Sequence, residues 1–152
     1  MVRFGISFAL DPSFCDRKSK VKTATPLRYC WLNGTALTAT TGTVTASGPA
    51  GVGRSDTVTY SPKGFNHVYG TWDVTASSNS ASLKFVVPAG ESLLQPVLVV
   101  HSYTGSLSPT ILLNGSTIDP GDGFYVSNRS DKQELWLTIN RTLSGTATLQ
   151  IN

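Results

Sequence analysis

Glutamate is nearly missing from this sequence, with Glu91 and Glu134 as its two examples in 152 residues. Helices draw on Ala, Leu, Glu and Lys, so a chain this poor in Glu, with charged residues at only 14%, is not expected to be helical. Cysteine is limited to Cys15 and Cys30 and histidine to His67 and His101, with no C-x-x-C spacing, which argues against a zinc site. No apolar run approaches the roughly 20 residues of a membrane helix, and no membrane partner is expected. The opening MVRFGISFALDPSF lacks the uninterrupted apolar stretch and small-residue cleavage site of a secretion signal.

Enzymatic signatures are equally scarce. The glycines of GPAGVG, at 48, 51 and 53, break the G-x-G-x-x-G order, and no P-loop lysine follows them. There is no G-x-S-x-G elbow, and either cysteine would need a histidine brought alongside to act as a nucleophile. Glycoside hydrolysis needs two carboxyl groups roughly 5 to 9 Å apart, and two Glu and seven Asp offer no arrangement that spacing singles out. The reading is therefore not an enzyme.

What the chain has in quantity is hydroxyl groups: Ser and Thr fill 37 positions, a balance that favours strands with hydroxylated outer faces. Period-two alternation recurs from end to end. Residues 2–10 read as a first strand, and ALTATTGTVTASG as a Thr-rich hairpin turning near Gly42. DTVTYS and NHVYGTWDVTA follow, separated by the Pro62-Lys63-Gly64 turn. SLKFVV points Leu83, Phe85 and Val87 inward. PVLVVHSY is apolar on both faces between Val97 and Val100, as in a strand covered on both sides near the middle of a sheet. Asn114-Gly115 predicts a tight hairpin, and ELWLTIN and TATLQI two closing strands joined by RTLSG.

About ten short strands with turns between them predict one antiparallel β-sandwich, jelly-roll or immunoglobulin-like, and 152 residues suit a single domain. Residues 47–56, SGPAGVGRSD, read as the most mobile loop because small residues bury little.

The net charge of +3 is local. Arg17, Lys18, Lys20, Lys22 and Arg28 are five of the twelve cations, whereas nucleic-acid binders spread Lys and Arg over a face. No nucleic-acid partner is expected. Cys15 and Cys30 flank this segment; joined, they would add about 3 kcal/mol by loop closure and imply an oxidising compartment, and free thiols are the open alternative.

The aromatics divide by face. In HVYGTWDVTA the row with Val68, Trp72 and Val74 is apolar, so Trp72 is assigned to the core, while Tyr69 and Asp73 share the polar row. In ELWLTIN, Leu135, Leu137 and Ile139 face one way, and Glu134, Trp136 and Thr138 the other. A tryptophan on a wet face suits a sugar ring, whose C–H face stacks on an aromatic while carboxylates, amides and hydroxyls meet its rim. Packing under a loop or another domain is the plainer explanation. The candidate ligand-binding residues are Trp136 and Tyr69 as stacking surfaces, Glu134, Asp73, Thr138 and Arg28 as hydrogen-bonding groups, and Trp31 and Tyr103 as further rings. In DPGDG, Asp119 and Asp122 could ligate a structural calcium ion, although ordinary turn chemistry explains them as well. No other cofactor is expected.

The run PTILLNGSTIDPGDGFYVSNRSDKQELWLTINRTLSGTATLQI, within residues 95–152, resembles the immunoglobulin-like and carbohydrate-binding β-sandwich modules appended to secreted bacterial polysaccharide-degrading enzymes. The likeness rests on an LNG hairpin, a Gly-x-Phe/Tyr strand, a Leu-x-Leu-x-Ile strand and a closing Gly-Thr-x-x-Leu-x-Ile. It implies a non-catalytic module, excised from a larger secreted or cell-surface protein, that holds an attached catalytic domain near a polysaccharide or oligosaccharide. It carries no ligand residue across. A structural or adhesive immunoglobulin-like domain of a cell surface or virion is the rival expectation.

Overall fold

The computed structural model describes residues 34–152. Among them the chain forms fifteen strands and no α-helix, as the alternation predicts. In chain order the strands are β1 (Ala36–Thr41), β2 (Thr43–Val44), β3 (Ser47–Pro49), β4 (Thr57–Thr59), β5 (Phe65–Asn66), β6 (Thr71–Thr75), β7 (Ala81–Val86), β8 (Leu93–Leu94), β9 (Val97–His101), β10 (Ile111–Leu113), β11 (Ser116–Ile118), β12 (Phe124–Arg129), β13 (Glu134–Ile139), β14 (Thr142–Leu143) and β15 (Thr146–Ile151). Among the described residues one 3-10 turn spans Ser130–Lys132. The first strand read at residues 2–10, the basic segment, Cys15, Arg28, Cys30 and Trp31 lie outside the described residues.

Two sheets enclose one core. The first runs β1-β7-β15-β10-β11, and the second β12-β13-β9-β6-β2 with β5 also paired to β6. Leu37, Leu83, Phe85, Leu149 and Ile151 of the first meet Trp72, Val74, Leu98, Leu135, Leu137 and Ile139 of the second. Trp72 crosses the gap to Phe85 in an edge-to-face contact with centroids 5.3 Å apart. The inward set of β13 alternates without a break, and so does that of β15. β9 sits between β13 and β6, central as its two-sided apolarity requires. Pairing is antiparallel throughout the described strands except between β6 and β9, which run parallel.

The hairpin expected near Gly42 is instead a crossover. β1 pairs with β7 in the first sheet, whereas β2 pairs with β6 in the second. Gly42, at φ +80°, makes the change where a Cβ would stand 2.6 Å from the Thr75 carbonyl oxygen, so alternation on either side belongs to different sheets. β13 and β15 also lie in different sheets, and the link between them lays down β14 against β8. Such short pairings at the crossings raise the strand count above the expected ten. The Asn114-Gly115 hairpin forms as read, with φ of 53° and 81° at its two turn residues.

Candidate functional site

Side chains on the outer face of the second sheet fall into rows fixed by register. One row runs Arg129, Glu134, His101, Thr75 across β12, β13, β9 and β6. The next runs Ser127, Trp136, Val99, Asp73, and a third brings Tyr125, Thr138 and Val97 together. Over this face stands the ribbon of β3 and β4, and together they leave an open groove of about 380 Å³. Its wall includes Ser47, Gly48, Pro49 and Tyr60, and its floor Trp136, Val99, Asp73, His101 and Glu134. The volume lies near the lower end of ordinary ligand clefts, about 300–1,000 Å³.

Within the wall, the Tyr60 side chain lies across Gly48, where a Cβ would fall 1.9 Å from the Tyr60 hydroxyl oxygen. Burial, with smaller contributions from the negative Asp73 and from Tyr69, pushes the Tyr60 hydroxyl up to about 12, so it remains a neutral phenol.

Tyr69 lies on the turn before β6 rather than within a strand, held where the Gly70 amide donates to the Asn66 carbonyl at 2.8 Å. It is 52% exposed, and its ring meets Trp136 edge to face with centroids 6.1 Å apart. The half-buried indole of Trp136 donates its Nε1–H to Glu134 Oε2 at 3.2 Å. The alternation placed each ring on the polar side of its own strand, with Glu134 beside Trp136, and the structure brings all three into the groove.

Asp73 differs from its expected role. It is only 4% exposed, and its carboxylate is already engaged: Thr71 Oγ1 donates to Oδ1 at 2.7 Å and Asn66 Nδ2 to Oδ2 at 3.0 Å. His101 Nε2 lies 3.4 Å from Oδ2 as well. β6 is covered on its polar side too, so alternation named the correct face and misjudged its depth. Asp73 organises the floor of the groove more than it offers a free acceptor.

His101 is the residue sequence reading passed over. Its Nδ1 lies 3.5 Å from Glu134 Oε1, so the imidazole bridges two carboxylates, and Arg129 Nη1 closes the row 3.5 Å from Glu134 Oε2. The hydrogen bond to Asp73 raises the His101 pKa above its ordinary 6.5, supported by the charges of Asp73 and Glu134 and opposed by burial. Asn66, Tyr60, Arg129 and Lys132 were also missed. The available signal was His101 in step with Val97 and Val99 on β9, but which carboxylates stood beside it depended on register.

The remaining candidates lie elsewhere. Tyr103 is 2% exposed, packs in the core and donates its hydroxyl to the Ser106 carbonyl at 2.9 Å, so it offers no ligand surface. Thr138 is on the outer face but one row beyond the groove, opposite Tyr125. Asp122 is committed to Arg141, with Oδ2 2.6 Å from Nη2, and Asp119 sits in the turn where its carbonyl accepts from the Gly123 amide. Among the described residues no cluster of three or more His, Cys, Asp or Glu side chains is arranged to hold a metal ion.

What the groove can do follows from its surfaces: an edge-to-face aromatic pair supplies apolar area, while phenol, imidazole, guanidinium and ammonium groups supply polar partners at its margins. No protein-family model and no curated protein matches this sequence.

Proposed function

We propose that the groove binds carbohydrate and that the domain is a non-catalytic accessory module, holding an attached enzyme of a secreted or cell-surface protein near its polysaccharide. The observation that carries this reading is the Trp136–Tyr69 pair, two partly exposed rings 6.1 Å apart in a groove whose floor also carries polar groups. A pyranose ring presents C–H groups to such a surface and hydroxyls to its rim, which Arg129, Lys132 and Glu134 can meet. Stacking of this kind uses rigid rings and loses little side-chain entropy.

Affinity electrophoresis against a panel of polysaccharides tests the reading. Wild-type protein is expected to be retarded by at least one polymer, and Trp136→Ala and Tyr69→Ala to lose that retardation. Unchanged mobility of both variants in that polymer removes the groove from the reading.

A structural or adhesive role has one observation in its favour: Tyr125 is exposed on β12, an edge strand, beside the same face. An outward aromatic there suits contact with a neighbouring domain. Concentration-dependent association on size-exclusion chromatography, without retardation by any glycan, is the outcome that favours it.

A further inference from the structure

The cross-strand row Arg129, Glu134, His101 and the diagonal neighbour Asp73 alternate in charge only if His101 carries two protons. A neutral imidazole has a single N–H. Here both ring nitrogens face carboxylate oxygens, Nε2 toward Asp73 at 3.4 Å and Nδ1 toward Glu134 at 3.5 Å. Removing one proton therefore turns a lone pair toward a carboxylate, exchanging attraction for repulsion.

The consequence falls unequally on the two acids. Asp73 is buried and retains Thr71 and Asn66 as donors, so it stays in place. Glu134 is held by the Trp136 indole and by Arg129, whose side chain is 44% exposed. Its weaker anchorage makes it the group that shifts.

We infer that His101, as the imidazolium, is the positioning residue of the groove: its Nε2–H holds Asp73, its charge holds Glu134 3.5 Å from Nδ1, and Glu134 in turn aims the Trp136 indole. The binding part of this inference rests on the carbohydrate reading, while the coupling of His101 to the indole stands apart from it. The other charged and titratable groups lining the same groove are Arg129 and Lys132 from the β12–β13 side, Tyr69 from the turn before β6 and Tyr60 from the covering ribbon. Tyr60, pushed up to about 12, is a neutral phenol near pH 7, and imidazole is the side chain that ordinarily changes charge between pH 5 and 8, which singles out His101 in this groove. Its raised pKa agrees with this geometry.

The test uses the full 152-residue chain, whose two histidines can be told apart by substitution. NMR titration should show His101 losing its proton above the ordinary histidine range, and the Trp136 indole N–H resonance should move with the same midpoint. In His101→Gln the indole resonance should be flat across that interval. Glu134→Gln, which keeps the side chain's size, should lower the His101 midpoint. Where a polysaccharide is retained, its affinity should weaken by about fivefold or more as pH rises through that midpoint, the low end of ordinary coupling between sites. His101→Gln should lack this dependence. Titration of His101 at or below the ordinary value, or an indole resonance indifferent to it in the wild type, overturns the inference whatever is found for glycans. A glycan-negative protein in which the two midpoints coincide overturns the carbohydrate reading alone.

Discussion

At the scale of single residues, burial decides which of the ion pairs and hydrogen bonds matter. Asp56 and Asp73 both accept a hydrogen bond at 2.7 Å, from Arg54 and from Thr71. The Arg54–Asp56 pair stands in solvent, with both side chains more than half exposed, where Coulomb attraction is screened and side-chain entropy is lost. Asp73 is buried with two neutral donors and an imidazole, and its truncation would leave the buried Thr71 hydroxyl and Asn66 amide without their acceptor. Asp73→Ala is therefore expected to cost about 3 kcal/mol of folding free energy, typical of a buried polar group stripped of its partner. Asp56→Ala should leave stability within experimental error of wild type. Equilibrium urea unfolding of the two variants separates these outcomes, and equal losses would mean that the Asp73 network contributes no more than the surface pair.

Elements are shaped here by where the backbone must take a left-handed conformation. Gly115 and Gly42 share it, at φ +81° and +80°, but not the surroundings. A Cβ on Gly115 meets nothing within 4 Å, whereas one on Gly42 meets the backbone oxygen of Thr75 at 2.6 Å. Gly115→Ala should therefore cost only the conformational strain, about 1–2 kcal/mol. Gly42→Ala should cost more, because the strand crossing must move as well. Urea midpoints at unchanged slope measure both, and a Gly42 variant no worse than the Gly115 variant would show that the crossing yields freely. The same contrast explains how much was legible in the sequence. Asn114-Gly115 is a local signal, and its hairpin, the inward set of β13 and the core position of Trp72 were all readable from neighbouring residues. Gly42 lies inside equally regular alternation, yet the chain changes sheets there. Which strand each side joins is decided by residues 32 to 50 positions away, so Ala36 finds Val86 and Thr43 finds Thr75 through contacts that no local period encodes. The candidate site divides the same way. Trp136 and Glu134, two apart on one strand, were legible; His101 bridging Asp73 and Glu134 required the register of three strands.

For the whole molecule the two histidines set opposing dependences of stability on pH. Burial lowers the pKa of His67, whose Nε2 lies 3.4 Å from the Ser61 amide and whose ring packs edge to face on Phe65. The folded protein thus binds the His67 proton less tightly than the unfolded chain does, and stability is lost as pH falls below 6.5 through the depressed folded value. His101 acts in the other direction. Its folded pKa is raised, so its contribution is fully present below 6.5 and disappears as pH rises through the folded value. Between about pH 5.5 and 8.5, where ordinary carboxylates, lysines and tyrosines hold their charge states, the two effects together place a stability maximum near the unperturbed histidine pKa. His101→Gln should abolish the decline on the alkaline side and lower stability most at the acid end of the interval. His67→Gln should flatten the acid side instead, because glutamine carries no proton to exclude. Unfolding free energies at half-unit pH intervals for the three proteins test this. A wild-type curve still rising at pH 8.5 would mean that the imidazolium between Asp73 and Glu134 stabilises the fold less than its desolvation costs, and would move the origin of the groove's order from charge alternation to the packing of Trp136 on Tyr69.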